Sequence, residues 1–177
     1  TSPLLPDYFR LHAKWRAEKP ALIADGQTLN WQELNARLNQ VANGVAAAGL
    51  TPDDRAIVFM DNGGAMAELL FGLVKAGVAS APINLSVDDT AIAAMIRDCG
   101  AQAIFVSAPY AERIAQILRE LGADAPKIRI SDGPASGWTD FRAWQAEQSR
   151  EEPRGTIKPE TILNIIYSSG TTGQPKG

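Results

Sequence analysis

The sequence predicts an α/β fold in which a mostly parallel sheet is flanked by helices. Short apolar runs alternate with longer segments of helical periodicity along most of the 177 residues. The connections between the apolar runs are long enough for the right-handed crossovers that join parallel strands. The composition, 45% hydrophobic and 21% charged, is that of a globular protein and excludes wholesale disorder.

The N-terminal third contains signals for a hairpin and a long helix. Asp25-Gly26 separates two short apolar runs, which is typical of a tight β-hairpin turn. The helix that follows begins at Asn30, and Glu33 stands at the position that completes a capping box. Gly49 stands where the end of this helix is expected. The apolar stripe that predicts its buried face consists of Leu34, Leu38, Val41 and Val45.

Strands and helices alternate in the rest of the chain. The predicted strands are residues 55–60, 78–84, 102–107, 127–131 and 161–167. The first predicted helix covers residues 65–76 and ends at Gly77. The second begins at a capping pattern formed by Ser86 and Asp89 and runs to about residue 99. A third covers residues 109–121, and Phe141 and Trp144 anchor a short fourth helix. Residues 148–160 are interpreted as a linker into the last strand.

Residues 61–64, Asp-Asn-Gly-Gly, join a strand to a helix, so an anion site is conceivable there. The spacing of a dinucleotide-binding loop is missing. We therefore favour a tight turn in which Asp61 or Asn62 caps the helix.

The last eleven residues, YSSGTTGQPKG, concentrate hydroxyls, glycines and a lysine directly after a predicted strand. Glycine allows the backbone to approach a ligand closely, so that successive N–H groups converge on one anion. Hydroxyl donors and a lysine charge add to such a site. Residues 167–177 therefore predict a phosphate-binding loop. Its candidate residues are Ser168, Ser169, Gly170, Thr171, Thr172, Gly173 and Lys176.

This loop differs from the common P-loop. Two residues rather than four separate Gly170 from Gly173, and glycine follows Lys176 where a P-loop has Ser or Thr. Pro175 biases the residue before it away from helical geometry, so we expect a mobile loop without a helix behind it. Composition alone favours a linker that binds nothing. The order of the residues decides for the phosphate site.

That order closely resembles the phosphate-binding signature of the adenylate-forming (AMP-binding) superfamily, which includes acyl-CoA synthetases, adenylation domains of peptide synthetases and beetle luciferases. Ser168 stands where the common form has Thr and keeps the hydroxyl. Residues 31–34, Trp-Gln-Glu-Leu, resemble the start of the family's first helix, and residues 73–84 resemble its Lys-Ala-Gly segment with the strand that follows. Asn84, where peptide-synthetase domains tend to carry Asp, favours a free-standing acyl-CoA synthetase.

The resemblance implies a ligase that activates a carboxylic acid, as in fatty acid metabolism. The candidate loop residues would wrap the β- and γ-phosphates of ATP, and Lys176 would help neutralise them. In this family a carboxylate attacks the α-phosphate of Mg-ATP and gives an acyl-adenylate and pyrophosphate. A thiol, usually that of coenzyme A, then displaces AMP. ATP, Mg²⁺ and coenzyme A are thus the implied cofactors and substrates.

In the family the acyl pocket and the remaining catalytic groups follow this signature. We therefore expect residues 1–177 to be the N-terminal, incomplete portion of the large domain, inactive alone, with the rest of the same polypeptide as its partner. No catalytic or metal-binding residue is expected within them. Two other functions stay open: a stand-alone ATP- or phosphate-binding module, and a structural domain whose glycine-rich tail is a linker.

Charge and composition exclude some partners. The net charge of −3, from 17 basic and 20 acidic residues, offers no basic stripe for nucleic acid. No apolar run approaches the roughly 20 residues of a membrane span. The single cysteine, Cys99, fits the reducing cytoplasm. A homodimer stays open, because a fragment would expose apolar surface that tends to pair.

Several residues that can carry chemistry are interpreted as structural. His12 has no acidic or nucleophilic residue near it in sequence, so we expect a surface or packing role. Cys99 is expected to be a small buried side chain. The four tryptophans, at positions 15, 31, 138 and 144, are expected to anchor peripheral packing. Glu151 and Glu152 are expected to be solvated.

Overall fold

In the computed structural model of the chain, residues 3–155 and 157–168 are described, and they form a β-hairpin, a five-stranded sheet and six α-helices. The strands are β1 Pro20–Ala24, β2 Gln27–Asn30, β3 Arg55–Phe59, β4 Ala79–Pro82, β5 Ala103–Val106, β6 Ile128–Ser131 and β7 Thr139–Asp140. The α-helices are α1 Leu5–Trp15, α2 Trp31–Ala47, α3 Gly64–Ala76, α4 Asp89–Cys99, α5 Ala111–Leu121 and α6 Phe141–Ala146.

The five-stranded sheet is parallel, in the order β4-β3-β5-β6-β7, which confirms the predicted fold class. The chain passes from β3 through α3 to β4 on one side, and then through α4 to β5 on the other side of β3. The direction of winding therefore changes between β3 and β5. In sheets of this kind ligands bind outside the carboxyl ends of the strands, near this change of direction.

Alternate side chains of β3 supply two cores on opposite faces of the sheet. Ile57 and Phe59 belong to the core that α4 and α5 cover. Ala56 and Val58 belong to the core that α2, α3 and α6 cover. A strand buried on both faces reads as a continuous apolar run, which is why β3 and β5 show no polar alternation.

The hairpin and the first capping box agree with the sequence prediction. Asp25 and Gly26 have φ values of +53° and +72°, and positive φ at both central residues is what a type I′ hairpin turn requires. The side chain of Asn30 accepts from the backbone N–H of Glu33 at 2.8 Å, and Glu33 accepts from that of Asn30 at 2.9 Å. Gly77 ends α3 with a φ of +74°.

The capping pattern predicted for α4 is wrong. Asp88, not Ser86, caps the helix, and its carboxylate accepts from the backbone N–H of Ala91 at 2.9 Å. The Ser86 hydroxyl instead donates to the side-chain oxygen of Asn84 at 2.8 Å. Asp88 and Asp89 are adjacent, and the sequence pattern matched Ser86 with Asp89, which placed the cap two residues too early. Asp89 lies in the first turn and pairs with Arg113 at 2.7 Å.

Of the residues predicted to have structural roles, His12 and Cys99 have them and Trp15 does not. The His12 ring packs against Trp31 with 4.6 Å between ring centroids. Burial raises the pKa of Cys99 to about 11, which keeps its thiol protonated and unreactive. Trp15 is 73% exposed, so its predicted packing role is wrong. Over the described ranges, no helix has both the length and the apolar character needed to cross a membrane.

Candidate functional site

The structure describes the entry to the predicted phosphate-binding loop. Ser168 lies within the described residues and is exposed to solvent. The other candidate residues lie outside the described residues: Ser169, Gly170, Thr171, Thr172, Gly173 and Lys176. The geometry available for this site is therefore that of the segment 157–168, which leads into the loop.

The lead-in segment lies alongside β4. The backbone N–H of Ser80 donates to the carbonyl of Leu163 at 3.1 Å, and that of Ile165 donates to the carbonyl of Ser80 at 2.8 Å. Ser80 and Asn164 form a parallel bridge. The strand predicted over 161–167 thus pairs with β4 at this one position among the described residues, without a continuous ladder. Because the segment runs parallel to β4, it leads toward the carboxyl ends of the strands of the sheet.

Tyr167, the last residue before Ser168, is anchored on α4. Its hydroxyl donates to a carboxylate oxygen of Asp98 at 2.8 Å and lies 3.2 Å from the carbonyl oxygen of Met95. Its ring, like the side chain of Ile165, packs against the core beneath α4 and α5. Burial, and then the bond to Asp98, raise the pKa of the Tyr167 hydroxyl far above its usual value. The hydroxyl therefore stays protonated and acts as a donor.

A hydrogen-bonded network closes the carboxyl edge of the sheet beyond β3, β5 and β6. The Ser107 hydroxyl donates to Asp132 at 2.6 Å and accepts from the backbone N–H of Asp61 at 2.9 Å. The Tyr110 hydroxyl donates to the carboxylate of Asp61 at 3.2 Å, and the N–H of Ala108 donates to Asp132 at 2.8 Å. Because these groups satisfy one another, we assign them a structural role.

The start of α3 is capped from the hairpin, so the cap predicted from Asp61 or Asn62 is wrong. The carboxylate of Asp25 accepts from the backbone N–H of Gly64 at 2.7 Å. A helix N-terminus attracts anions. Here the protein's own carboxylate takes the N–H of Gly64, so we assign no anion site to residues 61–64.

Glu68 of α3 is the first of two buried charges that hold the chain between β7 and the lead-in segment. Its side chain is 1% exposed. One carboxylate oxygen accepts from Arg37 of α2 at 3.0 Å. The other accepts from Arg142 at 2.5 Å and from Gln145 at 2.9 Å, both in α6. Glu68 thus fixes α6 against α2 and α3.

Lys75, two turns further along α3, is the second buried charge. Its ammonium nitrogen lies 2.8 Å from a carboxylate oxygen of Glu152 and 2.8 Å from the side-chain oxygen of Asn35. Glu152 is partly solvated, with a side chain that is 40% exposed, but it is also the partner of a buried lysine, which the sequence did not predict. Burial lowers the pKa of Lys75. Burial by itself raises the pKa of Glu152, but hydrogen bonds from Asn35 and Lys75 outweigh it and bring the pKa below its ordinary value.

Residues 148–152 also bond to α2 through their backbone. The side-chain amide of Asn43 donates to the carbonyls of Ser149 and Glu151, both at 2.9 Å, and that of Asn39 donates to the carbonyl of Arg150 at 2.8 Å. Sequence reasoning missed this docking. The sequence feature that could have indicated it is the pair of opposite charges, Glu68 and Lys75, in the otherwise apolar helix α3.

The described residues, 3–155 and 157–168, contain no group of three or more His, Cys, Asp or Glu side chains that could hold a metal ion.

Comparison with known proteins identifies relatives of the chain. It is 28% identical over 167 residues to a fatty acid–[acyl-carrier-protein] ligase of Streptomyces coeruleorubidus, covering 94% of this chain and 30% of that protein. It is 29% identical over 167 residues to a 3-hydroxybenzoate–CoA ligase of Aromatoleum sp. (strain CIB), covering 93% of this chain and 31% of that protein. The chain thus spans about a third of the length of these curated relatives.

The fold has a counterpart in solved structures. It matches the anthranilate CoA ligase AuaEII in complex with anthranoyl-AMP with a TM-score of 0.87 over 96% of this chain and 33% of that one, at 24% identity. This likeness concerns the fold. In sequence, the family model described as AMP-binding enzyme matches residues 9–177, which is nearly the whole chain. The chain therefore belongs to the AMP-binding enzyme family of adenylate-forming ligases.

Proposed function

We propose that the chain is the N-terminal part of an ATP-dependent ligase that activates a carboxylic acid as acyl-AMP and transfers the acyl group to the thiol of coenzyme A. The observation that carries the proposal is the sequence YSSGTTGQPKG in a family member. It follows a segment that β4 and α4 hold in place. The ligase relatives, of which this chain covers about a third, support a longer enzyme.

The proposed phosphate site consists of residues 167–177, with residues 148–160 as the linker into the strand that leads to it. Exposed Ser168 would donate its hydroxyl to the phosphates of ATP, and Lys176 would offset charge that builds on pyrophosphate as it leaves. Backbone N–H groups around the glycines would provide the remaining donors. The residues proposed to act with them are Ser169, Gly170, Thr171, Thr172 and Gly173. Mg²⁺ would bind together with ATP, because magnesium in such sites is held largely by the phosphates of the substrate.

The thiol acceptor separates the relatives from one another. One relative is a ligase to an acyl carrier protein and the other to CoA. Asn84 favours CoA by resemblance to free-standing synthetases. Its side-chain oxygen accepts from both the N–H and the hydroxyl of Ser86, and Asp could accept the same two bonds. The choice of CoA, like that of a fatty acid as the substrate, therefore rests on resemblance.

The surroundings of the enzyme are also part of the proposal. Buried Cys99 is a free thiol, which suits the reducing cytoplasm. Ile162 and Ile166 of the lead-in segment are 56% and 73% exposed. We propose that further polypeptide of the same enzyme covers them. Pairing of two copies is the alternative, and sedimentation of the longer polypeptide would reveal it.

ATP–pyrophosphate exchange with a panel of carboxylic acids tests the proposed function. We expect exchange by the full-length polypeptide, at least about tenfold slower exchange in Lys176→Ala because a charge-assisted bond is lost, and none by residues 1–177 alone. A polypeptide that neither exchanges nor binds Mg-ATP would contradict the proposal. So would a Lys176→Ala variant that exchanges as fast as wild type. Lysine-dependent binding of Mg-ATP without exchange would instead indicate a binding module.

A further inference from the structure

The entry to the phosphate-binding loop is fixed at two points on consecutive elements. Backbone bonds from Ser80 hold residues 163–165 on β4. Three residues after Asn164, the Tyr167 hydroxyl reaches Asp98 on α4. The first attachment sets the direction of the segment, and the second sets its position immediately before Ser168.

The second attachment joins an exposed carboxylate to a hydroxyl that also lies 3.2 Å from the carbonyl oxygen of Met95. Asp98 is exposed on α4, and the hydrogen bond from Tyr167 is the side-chain bond that the structure gives its carboxylate. The Tyr167 ring already packs against the core beneath α4 and α5 without help from its hydroxyl. The hydroxyl bond therefore adds precision of placement to a ring that hydrophobic burial already holds.

Placement at Tyr167 determines how the loop begins. In the lead-in segment, inward side chains alternate with exposed ones: Ile165 and Tyr167 are partly buried, while Ile166 and Ser168 are exposed. Because successive side chains of an extended chain point to opposite sides, fixing Tyr167 inward fixes Ser168 outward. A site built from several converging donors loses affinity when its first residue shifts.

We propose that Tyr167 and Asp98 are positioning residues that set the start of the phosphate-binding loop and thereby its affinity for the β- and γ-phosphates of ATP. The inference rests on the proposed function, since it requires that residues 168–177 bind ATP. It adds two residues with a stated role, one of them on a helix 69 residues earlier in the chain.

The test uses three variants and a matched control in the full-length polypeptide. Tyr167→Phe removes only the hydroxyl. Asp98→Ala removes its carboxylate acceptor and leaves the carbonyl of Met95, and Asp98→Asn restores a neutral acceptor. Tyr110→Phe is the control, because it removes a second Tyr–Asp hydrogen bond, the one to Asp61 at the carboxyl edge. Calorimetry measures the dissociation constants of Mg-ATP and of AMP, which lacks the β- and γ-phosphates.

We expect Tyr167→Phe and Asp98→Ala to weaken Mg-ATP binding about fivefold, with AMP binding unchanged. The double variant should bind no more weakly than Tyr167→Phe alone, because loss of the hydroxyl already removes the bond to Asp98. Asp98→Asn should recover most of the affinity, and Tyr110→Phe should bind as wild type does. Amide hydrogen exchange of residues 161–168 should quicken in the two weakening variants only.

The outcomes separate the two proposals. If wild type binds no Mg-ATP, or Lys176→Ala binds it as well as wild type, the proposed function falls and this inference with it. If Lys176→Ala weakens binding but Tyr167→Phe and Asp98→Ala do not, the inference alone is wrong. Equal weakening for Mg-ATP and AMP would show a general structural effect and would also overturn it. Should Tyr167→Phe fail to fold, exposed Asp98 carries the test.

Discussion

Lys75 shows how strongly a single buried charge depends on its partner. Its side chain is 1% exposed, and Glu152 lies 2.8 Å away with a side chain that is 40% exposed. Taking a charge out of water costs free energy that the pair regains only while both charges are present. Loss of Glu152 would therefore leave the ammonium group of Lys75 buried without its opposite charge.

We predict that Glu152→Ala lowers the free energy of unfolding by about 2 kcal/mol, below the range for a fully buried pair because Glu152 is partly solvated. Replacing both partners, Lys75→Met with Glu152→Leu, should cost less than Glu152→Ala alone, since no unpaired charge remains buried. Urea unfolding at pH 7 measures both. A double variant less stable than the single one would contradict this account.

The pH dependence of the same variants provides the control. The pKa of Glu152 lies below its model-peptide value in the folded protein, so its contribution is complete above pH 4.5 and is lost as the pH falls through the lowered pKa. The stability difference between wild type and Glu152→Ala should therefore shrink in acid. A difference that stayed constant down to pH 3 would exclude the ion pair as its cause.

At the scale of elements, helix α3 takes its cap from another element. Asp25 sits in the hairpin turn, 39 residues before Gly64, whose backbone N–H it binds. Its φ of +53° also belongs to the turn. One residue thus serves the hairpin and the start of a helix, and the substitutions must separate these two functions.

Asp25→Gly keeps the positive φ and removes the cap, while Asp25→Asn keeps both the turn and a cap oxygen. We predict that Asp25→Gly destabilises the protein by about 1 kcal/mol and that Asp25→Asn stays within about 0.5 kcal/mol of wild type. Thermal unfolding followed by circular dichroism checks both values. Equal loss in the two variants would show that the charge, rather than the cap, matters.

This contrast explains which elements the sequence could predict. The capping box of Asn30 and Glu33 lies within four residues, and the helix that it starts was predicted correctly. The caps of α3 and α4 were missed, one because it comes from a distant turn and one because two aspartates compete. The phosphate-binding loop stays a prediction, made from the order of neighbouring residues. The bond from Tyr167 to Asp98, which joins positions 69 residues apart, left no local signal.

At the scale of the whole molecule, one sheet supports two cores. Ile57 and Val58 are consecutive in β3, fully buried, and packed in different cores. Because β3 and β5 each contribute to both cores, neither core keeps its shape once these strands separate. The polar clusters around Glu68 and Lys75 join α6 and residues 148–152 to the same body. These contacts favour unfolding of the described residues as one unit.

We therefore predict a single cooperative transition in which a cavity in either core shifts the same midpoint. Ile114→Ala on one face and Leu73→Ala on the other should each cost about 2–5 kcal/mol, and Ile23→Ala, at a side chain that is 75% exposed, less than about 0.5 kcal/mol. Trp138 packs on the first core and Trp144 on the second, so tryptophan fluorescence reports both. Its urea midpoint should coincide with that of circular dichroism in every variant. Separate transitions in Ile114→Ala or Leu73→Ala would mean that the two faces unfold independently, because the sheet then does not couple them.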